Sequence, residues 1–353
     1  MLREACQLMQ HGYIKRRDFL KVSGIVGLGL TTCPLGASLA EAVKFDKKLY
    51  KVSRSMIGMG TIVSITVLNP SKDQAEEAIA IAFEEIQRLS KLMSRFDART
   101  PVAQLNRDGF LKEVPPELDF VIKRSMYYHQ ISNGLFDITV KPLLDLFAQS
   151  FKAPKRVLPR AEEISELLEL VDTELISLNG KTIVFKKDGM GITLDGIAKG
   201  LIVDKAVEKL MVKGINHALL NAGGDIRAIG EKGNNRPWKI AIEDPLKRKD
   251  YPDVVALTNR SIATSGNYEV FFDQEKIFHH IVNPKTGLSP LITVSVSVQA
   301  PTAMAADALS TALFILGPAE GTRLIDSIPS CESLTVTRNK KKIKSNGWRG
   351  IKI

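Results

Sequence analysis

The segment Ala300–Gly317, A-P-T-A-M-A-A-D-A-L-S-T-A-L-F-I-L-G, constrains the fold more than any other stretch of the chain. It reads as one helix built from Ala, Leu, Ile, Met and Phe, apolar on nearly every side, so it needs neighbours to cover it. Its one acid, Asp307, precedes the hydroxyl of Thr311 by four residues, which puts both oxygens on one face, a turn apart. The pair either looks into a site or lies among apolar neighbours, and a buried carboxylate without a partner is costly. A hard cation such as Mg²⁺ satisfies it, because Mg²⁺ takes a few protein oxygens and completes its shell with water and substrate phosphate. Alternatively, Thr311 bonds back to a helix carbonyl while Asp307 pairs with a Lys or Arg. Spacing leaves both arrangements open.

With 353 residues, 44% hydrophobic and 25% charged, the chain has an ordinary globular composition and enough length for a large core. The first forty residues stand apart. Arg16 and Arg17 in K-R-R-D-F-L-K precede an uncharged Gly- and Leu-rich run from Val22 to Leu39, and Ser38-Leu39-Ala40 makes a small-residue cleavage site. Residues 1–40 therefore read as a twin-arginine export signal and 41–353 as the mature domain, with a periplasmic destination expected. Glycines within the run and Pro34 argue against a buried helix there, and Thr32 before Cys33 is a poor lipoprotein match. Removal of the forty residues takes away five basic and two acidic side chains, leaving +7 of the formal +10 charge. Much of the excess lies in R-N-K-K-K-I-K, where no aromatics interleave, so the run reads as a solvated hairpin and not a nucleic-acid stripe. Only Cys331 remains after cleavage, which excludes an intramolecular disulfide.

Along the chain, Lys51–Leu68 reads as a strand. Ser71 caps a helix to about Met93, with Gln74 as capping-box partner and a stripe of Ala75, Ile79, Phe83, Ile86 and Leu89. A second helix runs from about Pro116 toward Gly134, and Glu162–Val171 looks helical. Ile176–Phe185 is a hairpin turned at Asn179-Gly180. Helix is expected over Gly196–Val212. Strands are expected at Ala218–Leu220, Trp238–Ile242, Ser261–Ala263, Glu269–Phe272, Ile277–Val282 and Thr293–Val298, with a hairpin from Ser333 to the end. Strands and helices do not alternate strictly, so the fold class is α+β with a mixed or antiparallel sheet and flanking helices, in one intertwined unit.

T-L-D-G-I-A-K-G places Asp195 at a strand-to-helix junction, where it can cap the helix beside an anion-binding start. N-A-G-G-D-I lets backbone approach a ligand, or is a plain tight turn. In H-H-I-V-N-P-K-T-G, adjacent histidines face opposite sides of a strand, so only one can enter a given site; His280 is either a general base or a hydrogen-bonding group. Neither a dinucleotide G-x-G-x-x-G nor a G-x-S-x-G elbow is present.

The ordered series M-G-T, M-S-R-F, G-L-F-D-I-T-V-K-P-L, D-G-I-A-K-G, N-A-G-G-D-I, I-A-T-S-G-N-Y, H-H-I-V-N-P-K-T-G and A-D-A-L-S-T-A-L-F-I-L-G, from Met59 to Gly317, resembles the ApbE family of FAD:protein FMN transferases. The resemblance implies a T-fold-related domain that binds FAD and Mg²⁺ and moves FMN onto a Thr or Ser hydroxyl of a partner flavoprotein subunit, releasing AMP. It implies an acceptor that is exported or membrane-bound, close to the inner membrane. It further implies an FAD site lined by Met59, Phe96, Leu135, Phe136, Asp137, Asp195, Leu201 and Val282. Metal contacts would come from the carbonyl of Ala198 and the side chains of Asp307 and Thr311, with Ser310 beside them. Lys199 and the helix start would add positive potential, and His280 would assist deprotonation of the acceptor hydroxyl. Two positions depart from the family pattern: Phe96 stands where many members carry Tyr, and Asn283 where Asp is usual. Two other activities fit the same motifs: hydrolysis of FAD to FMN and AMP, and flavin binding without catalysis.

Overall fold

The structure, a computed structural model, describes residues 41–44, 48–152, 158–245, 251–268 and 279–351. The reading of residues 1–40 as a signal and the strand expected at Glu269–Phe272 lie outside the described residues.

The alternating stretch Lys51–Leu68 is two strands, where the sequence pattern suggested one. After β1 (Glu41–Lys44), β2 (Tyr50–Gly58) and β3 (Thr61–Asn69) pair antiparallel from Tyr50↔Asn69 to Gly58↔Thr61. The chain reverses at Met59 (φ 53°) and Gly60 (φ 72°), and two consecutive positive φ values give the turn whose twist matches a hairpin. Helix α1 (Lys72–Met93) follows, with Ser71 Oγ accepting from Gln74 N–H at 3.2 Å. Only half of the expected capping box forms, because Gln74 Oε1 accepts instead from the Asn69 side-chain amide at 2.9 Å, while its Nε2 donates to the Lys213 carbonyl at 2.8 Å. Next come α2 (Pro101–Asp108), β4 (Phe110–Leu111), α3 (Pro116–Ile131), α4 (Lys141–Lys152) and α5 (Ala161–Leu168). β5 (Ile176–Asn179) and β6 (Thr182–Phe185) turn at Gly180 (φ 61°), as Asn179-Gly180 predicts.

Helix α6 (Ala198–Val212) leads into β7 (Ala218–Ala222) and β8 (Asp225–Ile229), then β9 (Trp238–Ala241), β10 (Val254–Leu257), β11 (Ser261–Gly266) and β12 (Thr293–Ala300). Helices α7 (Ala303–Leu316) and α8 (Pro318–Asp326) precede the hairpin β13 (Glu332–Thr337) and β14 (Lys342–Lys344). His279–Val282, expected as a strand, lies outside any strand. There the Ser289 hydroxyl accepts from His279 N–H (3.0 Å) and donates to the His279 carbonyl (2.9 Å).

Every strand ladder among the described residues is antiparallel. The main sheet runs β1-β2-β3-β7-β8-β11-β12-β13-β14, so of the two expected sheet types it is the antiparallel one. Alternate residues serve two cores. Val63, Ile65 and Val67, with Ala218, Leu220 and Ala222 and with Val296 and Val298, face α1, α6 and α7. On the other face Leu68, Ile226, Ala228, Ile262 and Leu334 meet Trp238, Val255, Leu257 and Trp348. The apolar helix that opens the sequence reading is α7, buried on almost all sides, as its composition demands.

Candidate functional site

Helices α6 and α7 meet where Gly200 lies against Ala303. A Cβ at Gly200 would stand 2.4 Å from the Ala303 carbonyl oxygen, so only glycine permits the approach. Each helix start is held by an acid of the other. Asp204 Oδ1 and Oδ2 accept from the N–H groups of Ala303 and Met304, both at 2.9 Å, and Asp307 Oδ2 accepts from Gly200 N–H at 3.0 Å. Asp195 therefore does not cap α6, as the sequence suggested. Ile197 holds the cap position without a side-chain bond, and the exposed Asp195 carboxylate meets Arg95 Nε at 3.2 Å.

Asp307 is 5% exposed. Burial, reinforced by the nearby Asp225 carboxylate, drives its carboxyl well above the usual carboxylate range, against the pull of Lys199 and the Gly200 N–H. The alternative satisfaction weighed for this helix is not what forms. Among the described residues no Lys or Arg comes within ion-pair distance of Asp307, and Lys199 Nζ instead pairs with Asp225 Oδ2 at 3.0 Å. The back-bond to a helix carbonyl is made by Ser310, whose hydroxyl donates to the Asp307 carbonyl (2.9 Å), while Thr311 Oγ1 lies 3.2 Å from Ser265 Oγ. Thr311 is half-buried beside Gly196, where a Cβ would stand 3.0 Å from its oxygen. The donor set of a buried carboxylate, a hydroxyl one turn on and the first turn of α6 is all oxygen. It carries surplus negative charge that a hard cation would relieve, so these residues fit Mg²⁺.

Around this centre the expected flavin-lining residues divide by exposure. Phe96 presents a ring that is 78% exposed, with the Arg95 guanidinium 4.3 Å from its centroid. Arg95 also binds Asp195, so it ties the stacking face to the start of α6. Met59 and Leu135 are half-buried, Met59 at the β2–β3 turn. Phe136 is buried, with its ring edge 3.5 Å from the position of a Cβ on Gly196. Leu201 and Val282 are 2% and 3% exposed and pack into apolar clusters, so their side chains support the site from beneath. Both oxygens of the Asp137 carboxylate are engaged. Oδ1 accepts from Thr139 N–H (2.7 Å) and the Thr173 hydroxyl (2.8 Å), and Oδ2 accepts from Thr173 N–H (3.0 Å) and lies 3.1 Å from His129 Nδ1. With Asp172 these groups form a half-buried His/Asp cluster whose nitrogen and carboxylate oxygen atoms lie within 4.8 Å of one another. It clamps the Leu135–Asp137 segment to the end of α3.

His279 is buried, bonds the Pro290 carbonyl through Nε2 (3.1 Å) and packs edge-on against Phe314 of α7. His280 is half-buried beside it, with ring centroids 6.4 Å apart. Of this adjacent pair His280 alone lies outside the core, although the strand whose alternation was to separate the two does not form. Asn283 Oδ1 accepts from Lys285 N–H (2.8 Å), a turn contact that an amide makes as well as a carboxylate. N-A-G-G-D-I is the tight turn between β7 and β8, with Gly223 and Gly224 at φ 62° and 103°. The sequence reading missed Arg95, Asp204, Asp225 and Ser265. Arg95, Asp225 and Ser265 lie inside the motifs M-S-R-F, N-A-G-G-D-I and I-A-T-S-G-N-Y, but their partners are far along the chain, and Asp204 lies in none of the motifs.

The chain matches the model of the ApbE family over residues 59–335. It is 31% identical over 292 residues to a FAD:protein FMN transferase of Vibrio cholerae, covering 81% of this chain and 87% of that one. With a FAD:protein FMN transferase of Haemophilus influenzae it shares 29% identity over 312 residues, covering 84% and 87%. The crystal structure of the ApbE protein from Thermotoga maritima superposes with a TM-score of 0.75 at 29% identity, over 84% of this chain and 97% of that one. The flavin transferase ApbE from Vibrio cholerae gives 0.74 at 25% identity, over 87% and 98%. The match spans the β2–β3 turn, the α6 start and the whole of α7, and on that extent the chain belongs to the ApbE family.

Proposed function

We propose that this chain is a FAD:protein FMN transferase, moving FMN from FAD to a threonine or serine hydroxyl of a partner redox protein with Mg²⁺ as cofactor and AMP as leaving group. The observation that carries the reading is the meeting of Asp307 and Thr311 with the start of α6. Asp307, Thr311 and the carbonyl of Ala198 would hold Mg²⁺, which when bound neutralises pyrophosphate charge and acts as a Lewis acid. The N-terminus of α6 adds positive potential for the phosphates. The exposed Phe96 ring, backed by Arg95, offers a stacking face for an aromatic ring of FAD. The acceptor oxygen bonds to the FMN-side phosphorus, the bridging P–O bond breaks with its electron pair leaving on AMP, and His280 takes the hydroxyl proton.

The decisive experiment incubates the protein with FAD and Mg²⁺, with and without an acceptor protein. AMP release that requires acceptor, with an FMN-sized adduct on a threonine or serine, is the expected result. Equal AMP release without acceptor would mean hydrolysis, and intact FAD would mean binding only. Asp307→Ala should lose Mg²⁺-dependent transfer; full activity in that variant would overturn the site. The reaction's place outside the inner membrane is proposed from Arg16 and Arg17, and recovery of the unaltered protein only from the cytoplasmic fraction would refute it.

A further inference from the structure

Three hydroxyls beside Asp307 form a chain whose hydrogen-bond direction is fixed by counting protons. Ser310 Oγ lies 2.9 Å from the Asp307 carbonyl oxygen, an atom that only accepts, so the single Ser310 hydroxyl proton is committed there. Ser265 Oγ on β11 is 2.7 Å from Ser310 Oγ, and since Ser310 has no second proton, Ser265 is the donor. Ser265 Oγ is also 3.2 Å from Thr311 Oγ1. With its own proton given to Ser310, Ser265 can only accept there, so Thr311 donates. The Thr311 proton thus points at β11, and the oxygen lone pairs face away from it. On another side of that oxygen is Gly196, where a Cβ would crowd Oγ1 at 3.0 Å.

From this we infer that Ser265 is a positioning residue for the metal site. It draws the Thr311 proton onto itself, so that Thr311 turns lone pairs and not hydrogen toward the cation, and Ser310 anchors the relay on the Asp307 backbone. A hydroxyl that ligates a cation must have its proton accepted elsewhere, and such supporting hydrogen bonds orient a ligand and hold its geometry. The inference rests on the Mg²⁺ site assigned to Asp307 and Thr311, but it assigns a task to a residue that does not touch the ion.

The test is Mn²⁺ binding to the full chain in the presence of FAD, followed by electron paramagnetic resonance, independently of turnover. Ser265→Ala should bind Mn²⁺ about 10- to 100-fold more weakly, the usual range for loss of a ligand's supporting bond. Ser265→Thr, which keeps the hydroxyl, should restore affinity. Ser310→Ala probes the relay from its other end: Ser265 then turns its proton toward Thr311, and affinity should fall again. Because both act through the same ligand, Ser265→Ala added to Thr311→Val should weaken binding no further than Thr311→Val alone. Wild-type Mn²⁺ affinity in Ser265→Ala or in Ser310→Ala, with Asp307→Ala inactive in binding, overturns the relay and leaves the metal site standing. Wild-type affinity in both Asp307→Ala and Thr311→Val overturns the metal site itself.

Discussion

Replacing Gly200 with alanine tests the packing that builds the site. In an exposed helix this change stabilises by about 1 kcal/mol, since alanine loses less backbone entropy. Here the new Cβ would stand 2.4 Å from the Ala303 carbonyl oxygen, and 2.6 Å from both its carbonyl carbon and Met304 Cα. All three atoms are backbone, so no side chain can rotate away, and α6 and α7 must part by about 1 Å to reach ordinary contact. Overpacking of this kind costs roughly 1–3 kcal/mol, and a backbone clash belongs at the upper end, leaving a net loss of about 2 kcal/mol after the helix gain. With an unfolding entropy of about 2.1 cal/mol/K per residue over roughly 310 residues, that loss lowers Tm by about 3 °C. The functional loss should be larger. The same displacement stretches the 3.0 Å bond from Gly200 N–H to Asp307 beyond hydrogen-bonding range. Misplacement of a reacting group by about 1 Å costs on the order of 100-fold in rate. Thermal melts and FMN-transfer rates on the same preparation check both figures. A Gly200→Ala protein that melts at or above the wild-type temperature with undiminished transfer would refute the reasoning.

Asp204→Ala frees the N–H groups of Ala303 and Met304 and leaves Arg227 without its 2.7 Å carboxylate partner, so urea denaturation should show a loss of about 3 kcal/mol. Asp307→Asn keeps an acceptor for Gly200 N–H while removing a charge that burial and Asp225 disfavour; it should unfold at a higher temperature than wild type without metal, yet lose Mg²⁺-dependent transfer. His129 is held above its ordinary value of 6.5, first by the hydrogen bond to Asp137, so its stabilising effect is complete below that value and is lost as pH rises through the raised one. His129→Gln should therefore lose most against wild type near pH 6 and least in alkali, and a difference independent of pH would sink the assignment.

What could be read from the sequence was local. The Asn179-Gly180 turn and the C-terminal end of α7 depend on a few neighbouring residues and formed where expected, whereas α7 starts at Ala303, because Ala300 closes β12 and Thr302 caps the helix. The β2–β3 hairpin was hidden because its turn begins with Met59, a residue that gives no turn signal, inside an unbroken alternating run. Asp204 escaped notice for the opposite reason: it sits mid-helix like any solvated acid, and its partners lie 99 and 100 residues away. The site was partly legible for the same cause. Asp307 and Thr311 share one helix, whereas Asp225, Arg95 and Ser265 reach the site only through sheet register and helix packing.

The helix pair also explains how one apolar helix serves both core and site. Asp204 and Asp307 perform the same structural task, each accepting N–H groups at the start of the opposing helix. They differ in compensation. Arg227 lies 2.7 Å from Asp204, so burial raises its carboxyl against a direct counter-charge. The cation that pulls on Asp307 is shared: Lys199 is paired with Asp225, and that second carboxylate adds to the negative charge instead of relieving it. A capping arrangement for stability alone would resemble the first. An acid buried without its own counter-charge, next to a second acid and an oriented hydroxyl, is a local loss of stability that a bound cation would recover. The end of the α6–α7 pair that is worse in stability is thus the one where a cation would recover most, and Asp307 is placed there by the same helix crossing that Gly200 makes possible.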